Sequence, residues 1–243
     1  MIAPIIFLQL LNYFWLSLDP REFASWYCDQ HCFKIHTELI SAVWDSVLTL
    51  APWVEEYADS KNIPRSYRTR RHAKPGQKWH PLSKWTGICR GNAVTSMINA
   101  RALLEEHQHR TGRRHVVWAD WEFLWRVLPR VRYGPPPSTG EEAGKSAHQL
   151  FLSHHFSSTE IKNFRPFSPV PEVWFPLKVA LSTKLFYTEP PRCFGKWEAP
   201  IRHTLVQAYR GYYEDKTLTM KQGMRYYHSP PPEWLEGDVL VRV

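Results

Sequence analysis

Apolar residues recur at helical spacing along several stretches of the chain and predict a mainly helical protein. Asp19-Pro20 marks the first helix start, because Asp caps an N-terminus and Pro suits the first helical position. Pro81 opens a second helix, and Gly112 follows its predicted end. The predicted helices cover about residues 20–50, 81–110, 117–128 and 200–215.

The remaining segments lack a sustained period, and their prolines limit them to loops, short helices and extended pieces. Residues 1–18 carry no charged side chain, but they have neither a basic leader nor a small-residue cleavage site, so we expect a short N-terminal strand or a buried segment and not a signal peptide. The predicted fold class is mainly α, a helical bundle in one domain over residues 1–243. Its parts are a core over 17–128 and 200–215, which includes a loop over 58–80, a Pro-rich irregular excursion over 129–199 and an aromatic tail over 216–243.

The composition favours binding to a polyanion. The net charge is +8, and the chain has twelve Trp and eleven Tyr. Nucleic acid is the first expectation and an anionic membrane surface the second. Four Cys in 243 residues fit free thiols in a reducing compartment better than a disulfide scaffold. No later stretch is apolar enough to cross a bilayer, so we expect a soluble, intracellular protein, in the cytoplasm of a bacterium or an infected host cell.

A basic segment between the first two long helices is the main candidate for contact with double-stranded DNA. Its cations neutralise phosphates and its interleaved aromatic rings stack on exposed bases; a solvated loop is the alternative interpretation. The candidate contact residues are Arg65, Arg68, Arg70, Arg71, Lys74, Lys78, Trp79 and His80, with Arg113 and Arg114 extending the basic character beyond the second helix.

Reactive side chains gather on one face near the start of the first helix. His31, Lys34 and Glu38 share a narrow stripe, because offsets of three, four and seven residues return to the same helical face. An amine and a carboxylate placed in this way are suited to nucleophilic attack and proton transfer, with His31 in a supporting role. The alternative is a solvated helix margin with an ion pair between Lys34 and Glu38.

Two patterns that suggest a metal or a nucleotide are incomplete. Cys28, His31, Cys32 and His36 have helical ligand spacing, but no second cluster completes the set, so buried Cys and scattered His are expected. Residues 140–146 resemble a phosphate loop, but the spacer is one residue too short and no buried strand precedes it. The sequence therefore predicts no metal and no cofactor.

Short motifs in the first half of the chain resemble the endonuclease V-type pyrimidine-dimer DNA glycosylases. The residues that carry the resemblance are Asp29-Gln30-His31, Glu38 seven residues after His31, His80-Pro81 with Trp85, and Arg110-Thr111-Gly112. The resemblance implies that Glu38 is the catalytic carboxylate, that no cofactor is needed and that the substrate is damaged or modified DNA. Bacterial members of this group also carry a lysine four residues before the matching Glu, as Lys34 stands here.

A wider resemblance links the chain to uncharacterised proteins of phages and large viruses. It rests on Asp19-Pro20, Ala24, the run 28–38, the run 208–213 and the run 231–234, and it implies no activity. The characterised phage glycosylase uses its N-terminal amine as nucleophile, whereas about sixteen extra residues precede the aligned start here. Lys34 is the substitute that we hypothesise for that amine.

The resulting expectation is a DNA glycosylase, with or without AP-lyase activity, that extrudes a damaged or modified base from the duplex. Two alternatives stay open. One is a non-enzymatic nucleic-acid-binding protein, viral or genome-associated, in which Lys34 and Glu38 are structural. The other is an enzyme that acts on a modified nucleotide with the same stripe.

Overall fold

Helices form most of the chain that the computed structural model describes, which confirms the mainly α prediction. The described residues are 15–64, 80–133, 146–164, 168–169, 186–191, 204–219 and 224–235. The helices are α1 (Pro20–Ser25), α2 (Asp29–Leu50), α3 (Trp53–Ser60), α4 (Pro81–Ile88), α5 (Arg90–Thr111), α6 (Trp118–Val127), α7 (Ala147–His155), α8 (Ser158–Lys162) and α9 (Leu205–Thr219). A 3₁₀ turn, Leu128–Arg130, follows α6.

The first predicted helix begins where expected but is not continuous. The Asp19 carboxylate accepts hydrogen bonds from the amides of Arg21 and Glu22 at 2.8 and 3.1 Å, and Pro20 holds the first helical position. The prediction of one helix over about 20–50 is wrong, because the chain breaks between α1 and α2. Cys28 is extended there (φ −63°, ψ 160°) and donates its N–H to the Tyr213 hydroxyl at 2.9 Å instead of to a helical carbonyl.

The second predicted helix is also divided. Its end is as expected, since Gly112 has φ 66°, a conformation that favours glycine, and closes α5 by donating to the Gln108 carbonyl at 2.8 Å. The break between α4 and α5 was not predicted. Cys89 is extended, and the Asn92 side chain donates at 2.7 Å to the Trp85 carbonyl that a continuous helix would use.

A short helix occupies part of the predicted loop. The sequence interpretation placed a loop over 58–80, but α3 continues to Ser60 and buries Val54 and Ala58 against the core. Pro52 ends α2 as expected and at once precedes the new helix, where its fixed φ of −56° suits a first turn. The remainder of the basic segment, 65–79, lies outside the described residues, as does the predicted strand up to residue 14.

The proline-rich excursion contains short helices and a minimal antiparallel pairing. Capping boxes start both helices: Ser146 with Gln149 in α7 and Ser157 with Glu160 in α8. Two-residue strands, β1 (Ser168–Pro169) and β2 (Phe186–Tyr187), pair antiparallel with Ser168 opposite Tyr187. The last helix, α9, begins and ends about four residues later than the predicted 200–215.

Packing centres on α2, which contacts α4 and α5 along its length. The face predicted to point inward does so, since Ile35, Leu39, Ala42 and Val43 are buried. Near the C-terminal end of α4, the Phe151 ring of α7 lies so close to Gly87 that a Cβ there would meet it at 2.1 Å. Glycine at this position therefore permits close packing of α4 on α7.

Candidate active site

The start of α2 is held by groups that come from the other end of the chain. No side chain of its own caps this helix, and Cys28 at the cap position instead donates to Tyr213 of α9. The Asp29 amide donates to the Arg225 carbonyl at 2.8 Å, and the Gln30 side chain accepts from the Arg225 amide at 3.1 Å. These contacts fix the first turn of α2, on which the predicted stripe begins.

A buried ion pair joins the start of α2 to the end of α5. The Arg110 guanidinium donates to the Asp29 carboxylate at 2.9 Å and to Glu106 at 2.7 Å, and its other N–H groups bind the carbonyls of Tyr27 and Ser25. Both members of the Asp29–Arg110 pair are almost fully enclosed, with side chains 6% and 0% exposed. Because all three nitrogens of the guanidinium donate to oxygens, two of them to carboxylates, the charge is compensated despite its burial.

The other oxygen of Asp29 binds the C-terminal tail. It accepts from the Tyr227 amide at 2.9 Å and lies 3.0 Å from Nδ1 of His228. Burial acts to raise the pKa of Asp29, but the hydrogen bonds from the tail and from Arg110 outweigh it and hold this pKa below its usual value. Asp29 is therefore a structural carboxylate, ionised where the helix, α5 and the tail meet.

His31, the first residue of the predicted stripe, lies against tyrosines. Its ring is 5.6 Å from the ring of Tyr213 and 6.2 Å from that of Tyr27, and its Nδ1 is 3.4 Å from the Tyr213 hydroxyl. Burial of the ring lowers the pKa of His31 to about 4, and the positive charges of Lys34 and Lys216 act in the same direction. His31 is therefore neutral at physiological pH.

Lys34 and Glu38 occupy the outer side of the same helix. Lys34 is exposed and Glu38 half-buried, in keeping with a position at the edge of the buried face. The ion pairs within the described residues do not include one between Lys34 and Glu38. The structure thus presents an amine and a carboxylate, one helical turn apart, beside a neutral imidazole.

Of the predicted DNA-contact residues, the structure describes His80, Arg113 and Arg114. His80 caps α4, since its Nδ1 accepts from the Leu82 amide at 3.2 Å. Both arginines are exposed just beyond α5. Arg114 binds Glu122 at 2.6 Å, so its charge is already partly compensated. The others lie outside the described residues: Arg65, Arg68, Arg70, Arg71, Lys74, Lys78 and Trp79.

Comparison of the chain with protein-family models, with curated proteins and with solved structures finds no match. The resemblance to pyrimidine-dimer glycosylases therefore stays an expectation carried by short motifs. Within the described residues, no helix is long and apolar enough to span a membrane.

A cluster of three histidines lies between α2 and the end of α5 and was not predicted. The His36 ring is 4.5 Å from that of His115 and 5.6 Å from that of His107, and these last two are 5.2 Å apart. Burial lowers the pKa of His36 to about 3 and also lowers the pKa of His107 and of His115. Periodicity could place His36 on the inner face of α2, but only the fold brings the other two rings to it.

The thiols of this helix are packing groups, as the sequence interpretation expected. Cys28 and Cys32 are fully buried, and burial raises the pKa of both, that of Cys32 to about 12. Thiols of this kind are poor nucleophiles and poor metal ligands. Among the described residues, no group of three His, Cys, Asp or Glu side chains is placed to hold a metal ion.

Proposed function

We propose that this chain is a DNA base-excision enzyme in which Lys34 is the nucleophile and Glu38 the proton-transfer group. The observation that carries the proposal is the placement of Lys34 and Glu38, an exposed amine and a half-buried carboxylate one turn apart on α2. The net charge of +8 supports a nucleic-acid substrate.

The setting of Lys34 suits attack on the sugar of a nucleotide taken out of the stack. Its helix is fixed at the start by the Asp29–Arg110 pair, so the side chain projects from a rigid element. His31 beside it is neutral, because its pKa is about 4, and therefore adds no positive charge next to the amine. Arg113, exposed beyond the end of α5, supplies a cation for the phosphate backbone.

The chemistry follows the ordinary course of an amine-dependent excision. The unprotonated Lys34 amine gives its electron pair to C1′ of the deoxyribose, and the glycosidic bond breaks with its electron pair leaving on the base, which takes up a proton. The sugar ring opens to give an imine between Lys34 and C1′. Glu38 transfers protons in these steps, and removal of the C2′ proton by its carboxylate expels the 3′ phosphate.

The test is covalent trapping of that imine. The full chain is incubated with duplexes that carry ultraviolet photoproducts or modified bases, and borohydride reduces any imine to a stable protein–DNA adduct. We expect an adduct with at least one substrate, lost in Lys34→Ala. Glu38→Gln is expected to retain DNA binding and lose turnover.

Matched controls come from outside the stripe. Lys162→Ala removes an exposed lysine of α8, and Glu55→Gln neutralises a half-buried carboxylate of α3; both are expected to keep full activity. An adduct that survives Lys34→Ala would refute the nucleophile assignment. If no substrate traps, while plain duplex binds with the usual salt dependence, the chain is the non-enzymatic nucleic-acid-binding protein instead.

A further inference from the structure

A large cavity is lined entirely by residues outside the stripe. It is bounded by α4, by the end of α7 with the residues that follow it, and by the segment after β2. Its volume is about 830 Å³, within the range of ligand sites in proteins. Lys34 and Glu38 are not among its lining residues.

Aromatic rings form the walls of this cavity. Trp85 is buried and fixed in orientation, since its indole N–H donates to the Thr188 carbonyl at 3.1 Å. Phe156 and Phe164 also line the cavity and pack edge to face, with ring centroids 5.0 Å apart and planes at 83°. Rings held in fixed orientations favour a flat, aromatic ligand.

Charged groups stand among these rings. The Lys84 ammonium lies over the Phe156 ring at 5.0 Å, so it is held at the cavity wall by a cation–π contact. His154 and Glu189 also line the cavity, and both residues are exposed. The lining therefore combines aromatic rings with a cation that can bind an anionic group and a carboxylate that can accept hydrogen bonds from N–H donors.

We propose that this cavity binds a nucleotide. The base stacks against Phe156 and Phe164, its phosphate meets Lys84, and Glu189 accepts a hydrogen bond from a ring or amino N–H of the base. A free nucleoside monophosphate and a nucleotide within a single strand share this chemistry. The site extends the proposed function without depending on it, because trapping requires Lys34 and nucleotide binding does not.

The first test is calorimetric titration of the full chain with deoxynucleoside monophosphates. Deoxyadenosine and deoxyribose 5-phosphate are titrated alongside, because each lacks one of the two recognised groups. We expect the monophosphates to bind at least tenfold more tightly than either fragment. Equal affinity for deoxyribose 5-phosphate would show a simple anion site and would overturn the proposal.

Variants then locate the binding. Phe156→Ala and Lys84→Gln are expected to weaken the affinity at least tenfold, and Phe156→Leu, which keeps apolar bulk but removes the ring, serves if the alanine variant unfolds. Phe33→Ala and Lys162→Gln change a half-buried ring and an exposed lysine outside the cavity and are expected to leave the affinity unchanged. Unchanged binding in both Lys84→Gln and Phe156→Leu would overturn the site.

A single-stranded oligonucleotide distinguishes the two sources of the nucleotide. If only the oligonucleotide binds, and Lys84→Gln and Phe156→Leu weaken it while their controls do not, the ligand is a nucleotide of a strand, and the site stands. If neither free monophosphates nor the oligonucleotide depend on these residues, the cavity is not a nucleotide site. A cavity that binds only an apolar peptide or an uncharged aromatic probe likewise contradicts the proposal.

Discussion

The two sides of the first turns of α2 differ in what their polar groups contact. On the inner side, Asp29 is enclosed by Arg110 and the tail, which bind its two carboxylate oxygens. On the outer side, Lys34 is exposed and Glu38 half-buried, and the two are not paired with each other. The inner side of α2 thus carries a structural ion pair, and its outer side carries the residues proposed for the chemistry. The spacing of the stripe in the sequence did not reveal this division.

This difference also bears on the resemblance to the glycosylases. Asp29 and Arg110 belong to separate motifs of that resemblance, and in the structure they form an ion pair with each other at 2.9 Å. Gln30, between Asp29 and His31, binds the Arg225 amide. These motif residues are therefore explained by the scaffold, and among the described motif residues the proposed chemistry rests on Lys34 and Glu38.

Breaking the inner side should have the largest effect. Arg110→Met would leave the Asp29 carboxylate buried without its partner, at a cost of about 3–5 kcal/mol in the free energy of unfolding. Denaturant unfolding measures this cost. On the same helix, Glu105→Gln removes the exposed Arg101–Glu105 pair (2.7 Å), and we expect a loss of less than about 0.5 kcal/mol. Equal losses in the two variants would contradict the assignment of Arg110 as the central structural cation.

Low pH should lower the free energy of unfolding, because the buried His36 takes up a proton when the chain unfolds. The pKa of His36 is about 3 in the fold and 6.5 in its ordinary state, so between these values the unfolded chain binds more protons and stability falls as pH falls. His36→Leu removes this proton uptake and leaves stability at neutral pH nearly unchanged. At about pH 4.5 we expect the variant to have lost about 2–3 kcal/mol less than the parent chain.

Unfolding measured across the pH range tests this expectation. Asp29 contributes a loss of the same sign at lower pH, because its pKa is held below its usual value, and His36→Leu does not alter that part. Identical pH profiles for the two proteins would show that folding does not lower the pKa of His36.

Tyr213→Phe should have an intermediate effect. It removes the hydroxyl that accepts from the Cys28 amide at 2.9 Å and leaves that buried N–H without its partner, at a cost of about 1–2 kcal/mol. Tyr227→Phe, at a tyrosine that is 58% exposed, is expected to change stability by less than about 0.5 kcal/mol. If Tyr213→Phe leaves the free energy of unfolding unchanged, another group caps α2.

The outer side should tolerate change with the least effect on stability. Lys34→Ala and Glu38→Gln are expected to shift the free energy of unfolding by less than about 0.5 kcal/mol, since neither side chain is fully buried. Denaturant unfolding of these variants beside Arg110→Met compares the two sides directly. A loss above about 2 kcal/mol in Lys34→Ala would place Lys34 with the structural residues.

Local signals in the sequence predicted the helical class and several helix ends, because they act within a few residues. Asp19-Pro20 and Gly112 are such signals, and both hold in the structure. The breaks at Cys28 and Cys89 could not be predicted, since each depends on a side chain, Tyr213 or Asn92, that replaces a helical hydrogen bond.

The candidate site was predicted to a similar degree. The helical stripe follows from the 3.6-residue period alone. The ion pair between residues 81 positions apart and the cluster of His36, His107 and His115 arise from tertiary contacts that periodicity does not encode. The cavity proposed to bind a nucleotide likewise joins α4 to segments of the excursion that the sequence presented only as irregular.

Gly87 determines how near two walls of that cavity can come. Its missing Cβ lets the Phe151 ring rest against the α4 backbone, and α7 carries that ring four residues before His155, which lines the cavity. Gly87 therefore allows α4 and α7 to pack closely because it has no side chain. Any side chain there would force the Phe151 ring, or the helix that carries it, away from α4, so the packing beside the cavity depends on the absence of a side chain at this position.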